Sequence, residues 1–207
     1  IGTGTVTGTF NTPAAGTSKP VTLAGSLSLT GADAGNYSLT LPSLTGNINK
    51  KVLNVSNLTV SSKVYDGTTT ATMVTSGSYG LSGGATGAMD GKYYDGDVVT
   101  VPTSGTVTGS FGSANAGPGG VQLSGLTIGG AAASNYVLMN PGTITPATLT
   151  YTATAAASTY GATPSLNGGT VTGFVAGQTQ AGATTGTLSF ATSETSASNV
   201  GSYSITG

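Results

Sequence analysis

An internal repeat with a period near one hundred residues constrains the fold of this chain more than any other feature. The segment GTVTGTF at residues 4–10 returns as GTVTGSF at 105–111, an offset of 101 residues. GADAGNY at 31–37 returns as GAAASNY at 130–136, an offset of 99 residues. Such a period is typical of tandem domains and is too long for one rung of a solenoid. A single long parallel β-helix is the alternative, and the lack of a rung-length period disfavours it.

The repeat divides the chain into three parts. Residues 1–50 match only the later half of the repeat, and residues 51–146 hold a complete unit. Residues 147–207 begin in a similar way, with LTYTATAAASTYGATPSL, and then diverge. We therefore predict half of a first module, one whole module, and a related module of a second type that is truncated at its end.

Apolar residues within the modules alternate with polar ones. The alternation is visible over residues 21–29 and again over 37–41, and period two predicts half-buried strands. Its phase changes between Val55 and Leu58, which predicts a bulge or a crossing between domains. Glycine and β-branched residues interrupt every candidate helix, so no helix is predicted. The expected fold is all-β, with tandem β-sandwich-like modules, immunoglobulin-like or β-grasp-like, arranged end to end.

The composition excludes several classes of function. Charged residues make up 5% of the chain and the net charge is −1, so no nucleic-acid partner is expected. Without His or Cys the chain has no thiol nucleophile, zinc site or disulfide. GLSGG at 80–84 matches a nucleophile-elbow pattern but has no His to act as its base. We expect no enzyme, and no membrane insertion, because no stretch approaches ~18 apolar residues.

One acidic loop is the best candidate for a binding site. Asp90, Asp95 and Asp97 lie within MDGKYYDGDVV, and hard cations such as calcium bind several oxygen ligands on a loop. An ordinary solvated loop is the alternative, and no other cofactor is expected. Tyr93 and Tyr94 lie in the same loop and are the residues that we would first test for glycan binding.

Two tyrosine–glycine motifs mark where modules begin. The first is KVYDGTTTAT, with Tyr65, Asp66 and Gly67, and a weaker copy, TYGATP, contains Tyr160 and Gly161. Asp-Gly is strong turn chemistry, and Val and Thr favour extended backbone. Because the second copy lacks the Asp, we predict a packing tyrosine and a turn glycine, with Asp66 as a turn former.

Three further tyrosines, Tyr37, Tyr136 and Tyr203, each follow a small-residue turn and open a strand. Their repetition at equivalent places predicts structural rings in the core with hydroxyls bonded to backbone, as in a tyrosine corner. Sugar stacking on exposed rings is the alternative.

These motifs resemble two repeat families of bacterial surface adhesins. Residues 51–146 resemble the repeat named after its Tyr-Asp-Gly motif, 1–50 resemble the end of a preceding copy, and 147–207 resemble the MBG-type module often found beside it. The resemblance implies the stalk of a large extracellular, haemagglutinin-like adhesin of two-partner secretion, at the cell surface or in a biofilm matrix. Its implied partners are neighbouring repeats. A lectin-like module for host or matrix glycan is the alternative, and an isopeptide bond from a lysine, as in some surface pilins and adhesins, is a further possibility.

Overall fold

The structure is a computed structural model that describes residues 6–25, 28–166, 168–175, 177–186 and 189–207. Strands dominate it, so the predicted all-β class is confirmed. The chain forms two compact units. The first comprises residues 1–61, 70–112 and 120–142, and the second comprises 62–69, 113–119 and 143–207.

Fifteen strands follow one another along the described chain. In order they are β1 (Val6–Phe10), β2 (Gly16–Gly25), β3 (Leu44–Ile48), β4 (Lys51–Leu53), β5 (Ser56–Val60), β6 (Lys63–Val64), β7 (Thr70–Ala71), β8 (Met73–Gly80), β9 (Thr108–Phe111), β10 (Gly117–Ser124), β11 (Tyr136–Thr145), β12 (Thr150–Ala153), β13 (Gly169–Thr172), β14 (Ala191–Thr192) and β15 (Ile205–Thr206). The expectation of no helix is wrong in detail. There are two 3₁₀ turns, at Ala34–Asn36 and Ala133–Asn135, and one helix, α1 (Gln180–Ala183). Each is only one turn long, so none forms a layer of its own.

In the first unit, β1, β2 and β3 form an antiparallel sheet in that order. A second sheet has the order β4-β11-β10-β9-β7, and β5 pairs with β8 in a third. Phe10 lies opposite Val21 in the first sheet, and Phe111 lies opposite Val121 in the second. The two copies of the repeat therefore form the same hairpin in the same register.

A bulge lies where the sequence predicted a change of phase. The register of β5 against β8 shifts between Ser56 and Leu58, and Asn57 has a positive φ of 59°. The extra residues lie on β8, opposite Asn57, and the phase of β5 changes there so that both Val55 and Leu58 are buried. The prediction of a bulge is confirmed.

The buried core of the described residues lies within the second copy of the repeat. Its apolar members are Leu53, Val55, Leu58, Ala71, Tyr79, Val99, Phe111, Val121, Leu123, Ala132, Tyr136, Leu138 and Ile144. Asn140, with 4% exposure, is the buried polar side chain among them. The copy that ends at residue 50 contributes none of these residues, although it has the same hairpin.

The second unit is built from short strand pairs. β6 runs parallel to the end of β11, with Lys63 opposite Ile144. β12 pairs antiparallel with β13, and β14 with β15. Tyr151 stacks on Phe190 with ring centroids 5.3 Å apart. No helix in the described part of the chain is long and apolar enough to cross a membrane.

Candidate ligand-binding groove

A groove of about 660 Å³ lies on the first unit, beside the acidic loop. It is formed by the turn before β2, the end of β3 with the link into β4, the acidic loop and the start of β11. The lining residues are Pro13, Ala14, Ala15, Ile48, Asn49, Lys50, Lys51, Val52, Ala88, Met89, Tyr94, Asp97, Asn135 and Tyr136. Half of these are aliphatic, Pro or Met residues, and the polar side chains include Lys51, whose Nζ lies 5.2 Å from the Tyr94 ring centroid, and Asp97, which accepts the hydroxyl of Tyr136. Apolar walls with a few polar groups are usual for a small-molecule site.

Asp90 organises the acidic loop from inside. Its carboxylate accepts hydrogen bonds from the backbone N–H groups of Thr86, Gly87 and Lys92, at 2.7, 3.0 and 3.1 Å. Lys51 Nζ lies 2.6 Å from the same carboxylate, and both side chains are largely shielded, with exposures of 9% and 21%. The pKa of Asp90 is held well below its usual range, mainly by the hydrogen bond from the Lys51 ammonium and to a smaller extent by those from the backbone N–H groups. The carboxylate is therefore ionised and fully engaged.

The other two predicted calcium ligands point to different partners. Asp95 accepts the Gly84 N–H at 2.9 Å, and Asp97 accepts the hydroxyl of Tyr136. Among the described residues there is no group of three or more acidic, His or Cys side chains that could hold a metal ion. The structure therefore does not bring Asp90, Asp95 and Asp97 together. The reason is that each carboxylate accepts hydrogen bonds from its own donors: Asp90 from Lys51 and the loop backbone, Asp95 from Gly84, and Asp97 from Tyr136.

The two predicted glycan-binding tyrosines have different surroundings. Tyr94 is 47% exposed and lines the groove, with Lys51 Nζ 5.2 Å from its ring centroid. Tyr93 is half-buried and packs against Gly83, where an added Cβ would lie 2.8 Å from the ring. Of these two tyrosines, only Tyr94 has an exposed ring that lines the groove.

Of the three tyrosines that were predicted to open strands, Tyr136 begins β11, whereas Tyr37 and Tyr203 lie outside the strands. Tyr136 is 2% exposed, and burial, reinforced by its hydrogen bond to Asp97, raises the pKa of its hydroxyl. Tyr203 is 36% exposed and donates to the backbone carbonyl of Asn199 at 2.8 Å. The expectation of a ring in the core is wrong for Tyr203 and for Tyr37, which is 72% exposed. The described part of its half module has no counterpart of the loop and strands that cover Tyr136.

The Tyr-Asp-Gly motif forms a tight turn in the second unit. Asp66 accepts both the backbone N–H and the hydroxyl of Thr68 at 2.9 Å, and Lys63 Nζ lies 2.7 Å away. The pKa of Asp66 is lowered to about 2, mainly by the hydrogen bond from Lys63 and to a smaller extent by those from the backbone N–H and hydroxyl of Thr68. Gly67 has a φ of +78°, a conformation that other residues adopt only with strain. The motif therefore has the geometry of a turn, with Asp66 bonded within it.

The tyrosines of the two motifs lie in different environments. Tyr65 lines a cavity of about 270 Å³ within the second unit, and its hydroxyl accepts a 2.6 Å hydrogen bond from Gln178. Tyr160 is 71% exposed, so the prediction of a packing ring is wrong for it, although Gly161 has the positive φ, +91°, of a turn glycine. The TYGATP motif therefore forms the glycine turn, but its tyrosine ring does not pack against the protein.

Sequence reasoning missed Asn140, the polar residue of the core. Its Oδ1 accepts the Val55 N–H at 2.8 Å, and its Nδ2 donates to the Val55 carbonyl at 3.0 Å and to the Leu58 carbonyl. These hydrogen bonds hold the start of β5, where the bulge lies, against β11. A polar residue two positions after Leu138, on the inward side of an alternating strand, was the signal that could have found it.

Comparisons with known families agree with this repeat structure. The sequence model of the YDG domain matches residues 1–46 and 49–144, and that of the MBG domain (YGX type) matches 149–207. Searches among curated proteins and among solved structures gave no match.

Proposed function

The chain belongs to the YDG domain family, with an MBG domain after the YDG repeats, and from this premise we propose that it is a spacer segment in the stalk of a large secreted adhesin. YDG and MBG domains are associated with adhesin-like or surface proteins. In this proposal the segment acts outside the bacterial cell, its partners are the neighbouring repeats, and it carries out no catalysis.

Parallel pairing between the first and last strands of the complete repeat is the observation that carries the proposal. β4 runs parallel to the start of β11, with Val52 opposite Val137. A stalk module is pulled at its first and last residues. Tension then draws β4 and β11 along their axes in opposite directions, so the ladder hydrogen bonds share the force and must break together. Resistance to tension is what a stalk needs.

The short links between strands of successive modules support the same role. Only Asn49 and Lys50 separate β3 from β4, and residues 146–149 separate β11 from β12. Links of two to four residues cannot behave as long flexible coils. Tension therefore passes from strand to strand with little slack in the backbone.

Force spectroscopy on the full chain tests the proposal. The chain has no cysteine, so a pair of introduced cysteines defines the points of pulling without ambiguity. Lys50→Cys with Thr148→Cys places tension across the parallel strands. Thr106→Cys with Thr127→Cys, at exposed positions outside the β9–β10 hairpin, unzips an antiparallel pair one bond at a time.

The first pair of attachment points should give the higher unfolding force at the same loading rate, because forced unfolding reports the barrier along the pulled direction. Equal forces, or a lower force for the first pair, would refute a mechanical role for the parallel strands.

Glycan binding in the groove is a second candidate function, favoured by the exposed ring of Tyr94 beside Asp97. Sugars stack on open aromatic rings and hydrogen-bond to nearby carboxylates. A glycan array with the full chain, and with Tyr94→Ala beside it, tests this function. Binding that Tyr94→Ala removes would support it, and uniformly negative arrays would eliminate it.

A further inference from the structure

The second compact unit contains part of the YDG repeat as well as the MBG match. The YDG match ends at residue 144, and the MBG match begins at residue 149. The unit nevertheless includes Ser62–Thr69 and Ser113–Gly119, which lie inside the YDG match. The first segment carries the Tyr-Asp-Gly turn, and the second covers the turn between β9 and β10. Both segments therefore belong with the module that follows their repeat.

The Tyr-Asp-Gly turn meets a loop of the MBG module directly. The Tyr65 hydroxyl accepts the 2.6 Å hydrogen bond from Gln178 Nε2. A Cβ added to Gly67 would lie 3.2 Å from Val175 Cγ1, so the backbone of the turn is in close contact with that side chain. The Gln178 N–H donates to the Val175 carbonyl at 2.9 Å, which places both contacting residues in one turn of the loop. The tyrosine and the glycine of the motif thus touch the next module at adjoining points.

The repeat holds this turn in place at the end of its last strand. The Tyr65 N–H donates to the Thr145 carbonyl at 2.8 Å, and Lys63 lies opposite Ile144 in the parallel pairing of β6 with β11. The carboxylate of Asp66 is bonded within the turn. A turn fixed in this way presents its tyrosine and glycine in one arrangement, so little conformational entropy is lost when a partner packs against it.

An equivalent position at the preceding junction also contacts the module that follows it. Ala15, in the turn between β1 and β2, and Ala116, in the turn between β9 and β10, are counterparts that lie 101 residues apart. The Ala15 N–H donates to Asn135 Oδ1 of the second copy at 2.9 Å. Ala116 lines the cavity of the second unit together with Phe174 of the MBG module. The end of one module therefore contacts the next module at both junctions.

We propose that the Tyr-Asp-Gly turn is a docking site for the following module, and that its occupant is the loop that carries Phe174, Val175 and Gln178. The positive φ of Gly67 makes the turn, and its missing side chain leaves room for Val175. Tyr65 supplies an acceptor for the glutamine amide, and its ring lines the same cavity as Phe174. The modules are then joined by side chains as well as by the backbone link. This contact can exist even if the parallel strands bear no force, so the two proposals fail separately.

Disulfide trapping in the full chain tests the docking. Gly67→Cys with Val175→Cys places two thiols across the contact, where the added Cβ lies 3.2 Å from a γ carbon of the valine. A disulfide needs Cβ atoms about 4 Å apart, so the spacing suits one. The control pair is Gly84→Cys with Val175→Cys. Gly84 has a φ of +77°, against +78° at Gly67, and an added Cβ there meets nothing within 4 Å in the described structure.

Tryptic peptides show whether the disulfide has formed. Trypsin cleaves after Lys63 and Lys92, and the chain has no Lys or Arg beyond residue 92. Both first cysteines are therefore released in peptide 64–92, and the second in peptide 93–207. Under mild oxidation the Gly67 pair should join these peptides at least about tenfold faster than the Gly84 pair, because docked thiols have a high effective concentration. No link in the Gly67 pair, or equal rates in the two pairs, overturns the proposal.

A second measurement leaves the glycine in place. Tyr65→Phe removes the hydroxyl that accepts the Gln178 amide, and Tyr160→Phe, at the 71% exposed counterpart, is the matched control. Hydrogen exchange at the Gln178 backbone N–H should rise about threefold or more in Tyr65→Phe, as expected for the loss of one hydrogen bond, and should be unchanged in the control. In a Gln178→Leu background the Tyr65→Phe substitution should have no further effect on exchange at position 178. Unchanged exchange in Tyr65→Phe, or an equal effect in both backgrounds, would show that the tyrosine acts only within its own turn and would overturn the docking.

Discussion

Replacing the buried amide of Asn140 with an apolar side chain should destabilise the complete YDG module strongly. In Asn140→Leu, three buried backbone groups lose their partner: the N–H and carbonyl of Val55 and the carbonyl of Leu58. Each unsatisfied buried group costs about 1–3 kcal/mol, and burial of the leucine returns about 2 kcal/mol. The expected net loss in the free energy of unfolding is about 4 kcal/mol, within a range of about 1–7 kcal/mol, which is a large part of the stability of an ordinary domain.

Urea unfolding of the full chain, followed by tyrosine fluorescence, measures this loss, since the chain has nine tyrosines and no tryptophan. Hydrogen exchange in β10 locates the loss in the module. Gln122→Leu is the matched control, at an exposed position on the adjacent strand, and should change stability by less than about 0.5 kcal/mol. A loss below about 1 kcal/mol for Asn140→Leu would show that the amide does not hold the bulged strand.

Three further predictions follow from contacts in the same module. Gly142→Ala should cost about 1–3 kcal/mol in urea unfolding, because its Cβ would lie 2.8 Å from the ring of Phe111; an unchanged midpoint would contradict the packing. Because the pKa of Tyr136 is raised in the folded state, its contribution to stability is intact below about pH 10, the unfolded value, and is lost as the pH rises beyond it; Tyr136→Phe should flatten that alkaline loss in thermal unfolding. Lys51 and Asp90 should remain an ion pair and not condense to an isopeptide bond, because the carboxylate is held ionised, and an intact mass lower by one water would contradict this.

The features that the sequence predicted correctly depend on neighbouring residues or on the repeat itself. The all-β class follows from alternation with period two, and the bulge follows from its change of phase. Both copies form the same hairpin because the same short strands and turns recur. Pattern reading succeeded here because these structures need few distant contacts.

The candidate site differs from the grouping that loop spacing suggested because of contacts between residues far apart in sequence. Three aspartates in one loop suggested a shared cation, but two of them have partners elsewhere in the chain. Lys51 lies 39 residues from Asp90, and Tyr136 lies 39 residues from Asp97. Loop spacing alone cannot distinguish carboxylates that meet at a metal from carboxylates that bond to separate donors.

Tyr37, compared with Tyr136, shows which structural properties the local sequence sets and which need contacts with distant residues. Its 3₁₀ turn and backbone angles match those of Tyr136, so local sequence is enough to set them. Its burial and the strand that should follow it are absent in the described structure. Those two properties appear only where β4 supplies backbone partners and the segment after it supplies apolar cover. A strand edge is stable only when its neighbour is present, so the burial of this tyrosine and the strand after it depend on residues far away in the sequence, whereas the turn before it does not.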